Sequence, residues 1–213
     1  MIRESEEEYL GAIYRLRQNS SEPVPLSRLT AYFGYSPVSV HEMVQKLVLQ
    51  QTVDYHPYHG VTLTETGESI ALSLLRRHRL WERFLTDILD IPWEDAHEIA
   101  DRLEHAATDM VAERLSTFLG EPDSCPHGTA IPPSTSSMDD LCLLTLPIGS
   151  IAKVTRISPE TQELLHRVMA MDLVPGQLIS IVDRGQDVTR VACDDRIVNV
   201  HALDAQRIWA QVI

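Results

Sequence analysis

The stretch LSRLTAYFGYSPVSVHEMVQKLVLQ, residues 26–50, decides how the N-terminal part of this chain folds. LSRLTAYF reads as a short helix that stops at Gly34, because glycine takes a left-handed cap without strain. Ser36 then stands as N-cap and Pro37 as first helical residue of a second helix, whose Val40, Val44, Leu47 and Val48 form a buried stripe. The pattern is helix, turn, helix. Downstream, TVDYHPYHGVTLTETG (52–67) alternates around a His59-Gly60 turn as a β-hairpin does, and a hairpin directly after the second helix is a wing. Upstream, ESEEEYLGAIYRLR (4–17) puts Tyr9, Leu10, Ile13 and Leu16 at helical spacing behind an acidic first turn, which suits a helix N-terminus.

Beyond the wing, a long helix is expected from Ile70 through LLRRHRLWERFLTDIL. A proline-tryptophan turn at 92–93 separates it from another helix that carries HEIADRLEH and continues to about Leu119. GEPDSCPHGTAIPPSTSS, 120–137, is dense in glycine, proline and serine and reads as a linker. After it, GSIAKVTRI, GQLISIVDRG, TRVACD and RIVNVHAL alternate in the β manner, and ETQELLHRVMAMDL supplies one helix. Five or so short strands with one helical insertion suggest a small SH3-like barrel. The expected fold class is therefore α+β, mainly α: a winged helix-turn-helix at 1–72, a helical domain with linker at 73–137, and an SH3-like β-barrel at 138–213.

Composition narrows the function. With 213 residues and 44% hydrophobic content, the chain can form several real cores. It has no apolar run long enough to span a bilayer and no basic start followed by an apolar segment, so no membrane partner is expected and the cytoplasm is the expected location. Three cysteines, Cys125, Cys142 and Cys193, make no even framework and fit a reducing compartment. A net charge of −13 argues against broad, nonspecific binding to nucleic acid. A locally placed DNA-reading helix remains compatible with it, and a bound cation would help such a protein overcome its own field.

HEIADRLEH, 97–105, sharpens this. At about 100° per residue, His97, Asp101, Glu104 and His105 share one polar arc, with Ile99, Leu103, Ala106 and Met110 opposite. No lysine or arginine lies in that arc, so a divalent cation is one way to neutralise the carboxylates, and a solvated acidic face is the plainer alternative. His78 and Glu82 stand one turn apart and can share one ion, or simply pair with each other. Cys125 and His127 flank a proline that pre-orders their loop, offering a thiolate and an imidazole. HEIAD has Asp101 where a zinc-peptidase motif has its second histidine, which removes that reading. On the second helix of the helix-turn-helix, Ser36, Pro37, Ser39, His41, Glu42, Gln45 and Lys46 are the expected DNA-facing positions. Glu42 is discordant there, since an acid favours only a cytosine amino group and repels phosphate.

EEEYLGAIYRL, SPVSVHEMVQKL, GVTLTETG, HRLWERFL, the helix ending in LEH, CPHG followed by IP, and the late LVPG turn occur in this order. The ordered set resembles the diphtheria toxin repressor family of metal-dependent transcription regulators over nearly the whole chain. It is most similar to the manganese-responsive members with a C-terminal SH3-like, FeoA-type domain. The resemblance implies a homodimer that binds a double-stranded DNA operator and two metal sites per subunit, for Mn²⁺ or Fe²⁺. One site would use Glu8, Asp101, Glu104 and His105. The other would use His78, Glu82, Cys125 and His127, with His97 nearby and a carboxylate from the C-terminal domain, Glu160 or Glu163. Sulfur ligands of iron-type members are replaced here by Glu8 and Asp101, a harder set that favours Mn²⁺. Gly11 departs from relatives that carry a second carboxylate there, which puts a binuclear site on the first helix in question. The rival readings are a winged-helix regulator controlled by a small organic ligand and a metalloenzyme. For the latter the sequence offers no separate general base, phosphate loop or nucleophile motif.

Overall fold

The computed structural model describes residues 3–17, 20, 22–134 and 139–213. They form two compact units, Met1–Arg77 with Glu104–Asp109, and His78–Leu103 with Met110–Ile213. The first unit holds α1 (Glu4–Leu16), α2 (Leu26–Phe33), α3 (Pro37–Leu49), β1 (Val53–His56) and β2 (Gly60–Leu63). Gly34 caps α2 in the left-handed conformation at φ 69°, and the Ser36 hydroxyl accepts the Ser39 N–H at 3.1 Å to cap α3. β1 and β2 pair antiparallel with His56 opposite Gly60, closing the hairpin over Pro57, Tyr58 and His59. The core beneath is Leu10, Ile13, Leu29, Val40, Val44, Leu47 and Val61. This is a winged helix-turn-helix.

α4 (Glu65–Asp87) is a single long helix, and its 23 residues begin earlier than Ile70 because Thr64 accepts the Gly67 N–H and starts the first turn. The helix expected from HEIADRLEH to Leu119 is not continuous. α5 (Trp93–Leu103) ends one residue before Glu104, and α6 (Asp109–Phe118) begins after a non-helical stretch. The buried stripe of α5 is Ala96 and Ala100, whereas Ile99 of α5 and Met110 of α6 are exposed. Glu104 and His105 therefore leave the arc shared by His97 and Asp101.

The 120–137 segment also differs from the linker that its composition predicts. Residues 123–131 are not a linker but a tight, internally bonded turn: Ile131 N–H donates to Asp123 at 2.8 Å, Cys125 N–H to Thr129 at 2.9 Å and Gly128 N–H to Cys125 at 2.9 Å. Cys125, His127, Thr129 and Ile131 are buried. Of the rest of that segment, 135–137 lie outside the described residues.

The C-terminal part is built from β3 (Leu141–Cys142), β4 (Ile151–Ile157), α7 (Gln162–Ala170), β5 (Leu178–Arg184), β6 (Val188–Cys193), β7 (Arg196–His201), α8 (Ala202–Ala205) and β8 (Ile208–Val212). The strands form one antiparallel sheet of order β3-β8-β4-β5-β6-β7, bent by register shifts at Val154/Arg156 and Ile181/Asp183. Among the described residues no pairing joins β3 to β7, so the SH3-like fold is a curled sheet rather than a closed barrel. α7 covers its core with Leu164, Leu165 and Val168.

Candidate metal centres and DNA-facing helix

Glu82, one turn after His78 on α4, is fully buried. Its Oε1 lies 2.8 Å from His78 Nε2, 2.9 Å from His97 Nδ1 and 3.2 Å from His127 Nδ1. Its Oε2 is buried with no hydrogen-bond partner among the described residues. Burial by itself would raise the Glu82 pKa, but the His127 and His78 imidazoles outweigh it and hold the carboxyl well below its ordinary range. The converse holds at His127, where burial favours the neutral ring and the Glu82 charge overrides it, pushing the pKa well up.

The elements place the remaining donors around this carboxylate. α5 brings His97, whose Nδ1 is 3.1 Å from His78 Nε2, and Asp101, whose Oδ1 is 3.2 Å from His78 Nδ1. The 123–131 turn brings Cys125 Sγ to 3.8 Å from His127 Nδ1. Burial raises the Cys125 thiol pKa, as do the charges of Glu82 and Glu160, so the free thiol is favoured without a cation. Glu160, just before α7, accepts from the Thr129 hydroxyl at 2.7 Å and lies 3.9 Å from Cys125 Sγ. His127 Nε2 is 2.9 Å from the Trp93 carbonyl, an acceptor, so Nε2 carries a proton, and Nδ1 points at Glu82 and Cys125. Two sets, His78/His97/Asp101 and Glu82/Cys125/His127, each have donor atoms within 4.8 Å of one another. An orphaned buried carboxylate oxygen amid imidazoles and a thiol is the donor chemistry of a divalent cation site, and the residues fit one.

In the first unit a third set, Glu4, Glu8 and His105, meets the same distance. Glu104 is buried with Oε1 3.5 Å from His105 Nε2. Thus the structure groups Glu8 with His105 and Glu104, while Asp101 stands with His78 and His97. Glu163 is exposed on the first turn of α7 and belongs to none of the three sets, whereas Glu160 adjoins Cys125. Gly11 is buried against Leu74 at 3.3 Å from where a Cβ would stand, so that position faces core. Sequence reasoning missed Glu4, Glu7, Thr129 and the Trp93 carbonyl. Glu4 and Glu8 are one turn apart on an acidic helix, a signal available in the sequence.

On α3, Ser36, Pro37, Ser39, His41, Glu42 and Gln45 are exposed. Lys46 is only partly so, because its Nζ is 2.7 Å from the buried Glu6 of α1. Beside them Tyr35 and Val38, and Tyr58 at the wing tip, present exposed apolar groups that the sequence pattern did not single out.

A winged helix-turn-helix in one chain with clustered histidine, carboxylate and thiol donors defines a class, the winged-helix proteins equipped with metal-binding groups. Residues 1–61 match the family described as "Iron dependent repressor, N-terminal DNA binding domain", 64–133 match "Iron dependent repressor, metal binding and dimerisation domain", and 141–212 match "FeoA domain". The iron-dependent repressor IdeR of Mycobacterium tuberculosis (strain ATCC 25618 / H37Rv) is 30% identical over 194 residues, 82% of each chain. A solved structure described as a manganese-dependent transcriptional repressor in complex with manganese superposes with a TM-score of 0.88 at 30% identity, over 98% of this chain and 100% of that one. ScaR with bound Zn²⁺ superposes with a TM-score of 0.84 at 26% identity, over 98% and 99%. The chain belongs to the iron-dependent repressor family, that of the diphtheria toxin repressor.

Proposed function

We propose that this protein is a metal-dependent, DNA-binding transcriptional repressor of manganese or iron homeostasis, acting in the cytoplasm as a homodimer on a double-stranded operator. The observation that carries the metal part is Glu82, a buried carboxylate ringed by three imidazole nitrogens with its second oxygen unpartnered. His78, Glu82, His97, Cys125 and His127 would hold one cation, with Asp101 and Glu160 at its margins. Glu8, Glu104 and His105, with Glu4, would hold another. The donors there are oxygen and nitrogen, a set suited to Mn²⁺ or Fe²⁺. When bound, a cation supplies the charge that lets these carboxylates stand together.

The functional consequence follows from chain connectivity. Glu104–Asp109 belongs to the first unit and connects α5 to α6 along the chain, so an ion shared by Glu8 and His105 would tie α1 to that connecting segment. Ile88, Leu89, Ile99, Met110, Val111 and Phe118 are exposed on or beside α4, α5 and α6 and supply the apolar surface for a dimer. Two recognition helices must sit about 34 Å apart to enter successive major grooves, so metal favours the dimer geometry that meets this spacing. Moving from about 1% to about 99% competent requires about 5.5 kcal/mol of differential binding. We propose 1–72, 73–137 and 138–213 as the functional domains.

The test is selection of a genomic fragment pool by the purified protein with and without Mn²⁺. Enrichment of a discrete palindromic sequence only with Mn²⁺ is expected. Equal selection in both conditions excludes metal control, and no selection in either excludes the DNA reading.

A further inference from the structure

Three consecutive acids on α1, Glu6, Glu7 and Glu8, point about 100° apart and meet different partners. Glu6 pairs with Lys46 and Glu8 belongs to the set with Glu4 and His105. Glu7 is a member of no metal set among the described residues, yet it touches His105 directly: its Oε2 is 2.8 Å from His105 Nδ1. Its other oxygen accepts from Arg77 Nη2 at 3.0 Å. Arg77, itself buried, is held from the far side by Asp109 at 3.2 Å, and Asp109 accepts from the Ser73 hydroxyl at 2.8 Å. The carboxylate is thus anchored on both oxygens before any ligand arrives.

We propose that Glu7, braced by Arg77, is a positioning residue that fixes His105 as a metal ligand through Nε2; this rests on the metal reading given above. An ionised carboxylate only accepts, so Nδ1 carries a hydrogen toward Glu7, and Nε2 is left as the nitrogen that offers its lone pair to a cation. Nε2 is the atom that lies 3.5 Å from Glu104. The hydrogen bond made by one ring nitrogen sets which nitrogen is free to bind, and such orienting carboxylates also raise the basicity of the bound nitrogen. The same hydrogen bond joins α1 to the Glu104–Asp109 segment before metal binds, so the two halves of the site are held in register by a group that never ligates.

The experiment uses the full-length protein with ¹⁵N-labelled histidine. Long-range ¹H–¹⁵N spectra of the metal-free wild type should show His105 protonated at Nδ1, and Glu7→Ala should lose that preference. Mn²⁺ affinity, read from the free-ion electron paramagnetic resonance signal, should fall on the order of 10- to 100-fold in Glu7→Ala at the site containing His105. Glu7→Gln keeps an acceptor oxygen without the charge, and it should retain the Nδ1–H tautomer and recover most of that affinity. Wild-type His105 protonated at Nε2, or a Glu7→Gln variant as weak as Glu7→Ala with its tautomer intact, overturns the proposal. A wild-type protein that binds no Mn²⁺ overturns the metal reading instead, and the tautomer measurement, which needs no metal, separates the two failures.

Discussion

Glu8 and Glu82 are both acids placed by helices, and their surroundings give them different roles. Glu82 is enclosed, and its pairing with His78 at one-turn spacing was legible in the sequence, whereas the convergence of His97 and His127 on the same oxygen was not, since those residues arrive from other elements. Glu82→Gln should remain folded and lose more than tenfold in Mn²⁺ affinity at the enclosed site while the site containing His105 still titrates, as followed by calorimetry. Glu8→Ala should do the reverse. It leaves the enclosed site intact and removes the α1 donor, so the variant should stay a dimer whose DNA affinity no longer rises with Mn²⁺. Its direct cost to the fold is at most about 1 kcal/mol of helix-dipole stabilisation. Wild-type, metal-dependent DNA binding by Glu8→Ala removes α1 from the coupling. Asp101 shows what periodicity misses: it shares an arc with Glu104 only if the helix continues, and α5 stops at Leu103.

At the scale of elements, local signals were read correctly where they are local in cause. Gly34 and Ser36 cap α2 and α3 because a left-handed residue and a short hydroxyl side chain decide those ends without help. The 123–131 turn was misread for the opposite reason. Its glycine, proline and serine resemble a linker, but Ile157 N–H bonds the His127 carbonyl at 2.9 Å and buries the turn against β4. Gly128 has φ 84°, and a Cβ there would stand 2.0 Å from the Thr155 carbonyl oxygen. Gly128→Ala should therefore cost about 1–3 kcal/mol from the left-handed backbone, with more from the displaced strand, and lower the Mn²⁺ affinity of the Cys125/His127 site. Thermal melts and a Mn²⁺ titration check this, and an unchanged melting temperature would show that β4 does not hold the turn.

α1 and α4 are joined by a two-pronged pair, Arg17 to Glu68 at 2.6 and 3.0 Å. The Arg17 hydrogen bonds outweigh burial and hold the Glu68 carboxyl below its ordinary range. A depressed carboxyl stabilises the fold above its unfolded value and loses that contribution as pH falls through its folded value. Both side chains are partly exposed, so screening limits the effect to about 1 kcal/mol or less. Glu68→Gln should melt slightly lower than wild type at pH 7, and the gap should close in acid as the wild-type carboxyl protonates. A gap that persists in acid would assign the effect to packing.

For the whole molecule, the conflict is between a net charge of −13 and a polyanionic partner. Residues 1–72, which contain the winged helix, have five cations, Arg3, Arg15, Arg17, Arg28 and Lys46, against Glu4, Glu6, Glu7, Glu8, Glu22, Glu42, Asp54, Glu65 and Glu68. Arg17 and Lys46 are already held by Glu68 and Glu6. Unless those pairs open, three cations per subunit is the ceiling on phosphate neutralisation, or about six for the proposed dimer. Each neutralised phosphate contributes about −0.9 to the slope of log affinity against log salt. Operator affinity at saturating Mn²⁺, followed by fluorescence anisotropy from 50 to 300 mM salt, should therefore fall with a slope no steeper than about −5. Specificity must then come chiefly from base-edge contacts on α3, where Val38, Ser39 and Gln45 stand exposed, and from the fit of two helices to two grooves. A slope near −9 would mean that Lys46 and Arg17 leave their carboxylates for phosphate, so that DNA binding breaks the Glu6 tie between α1 and α3 instead of relying on it.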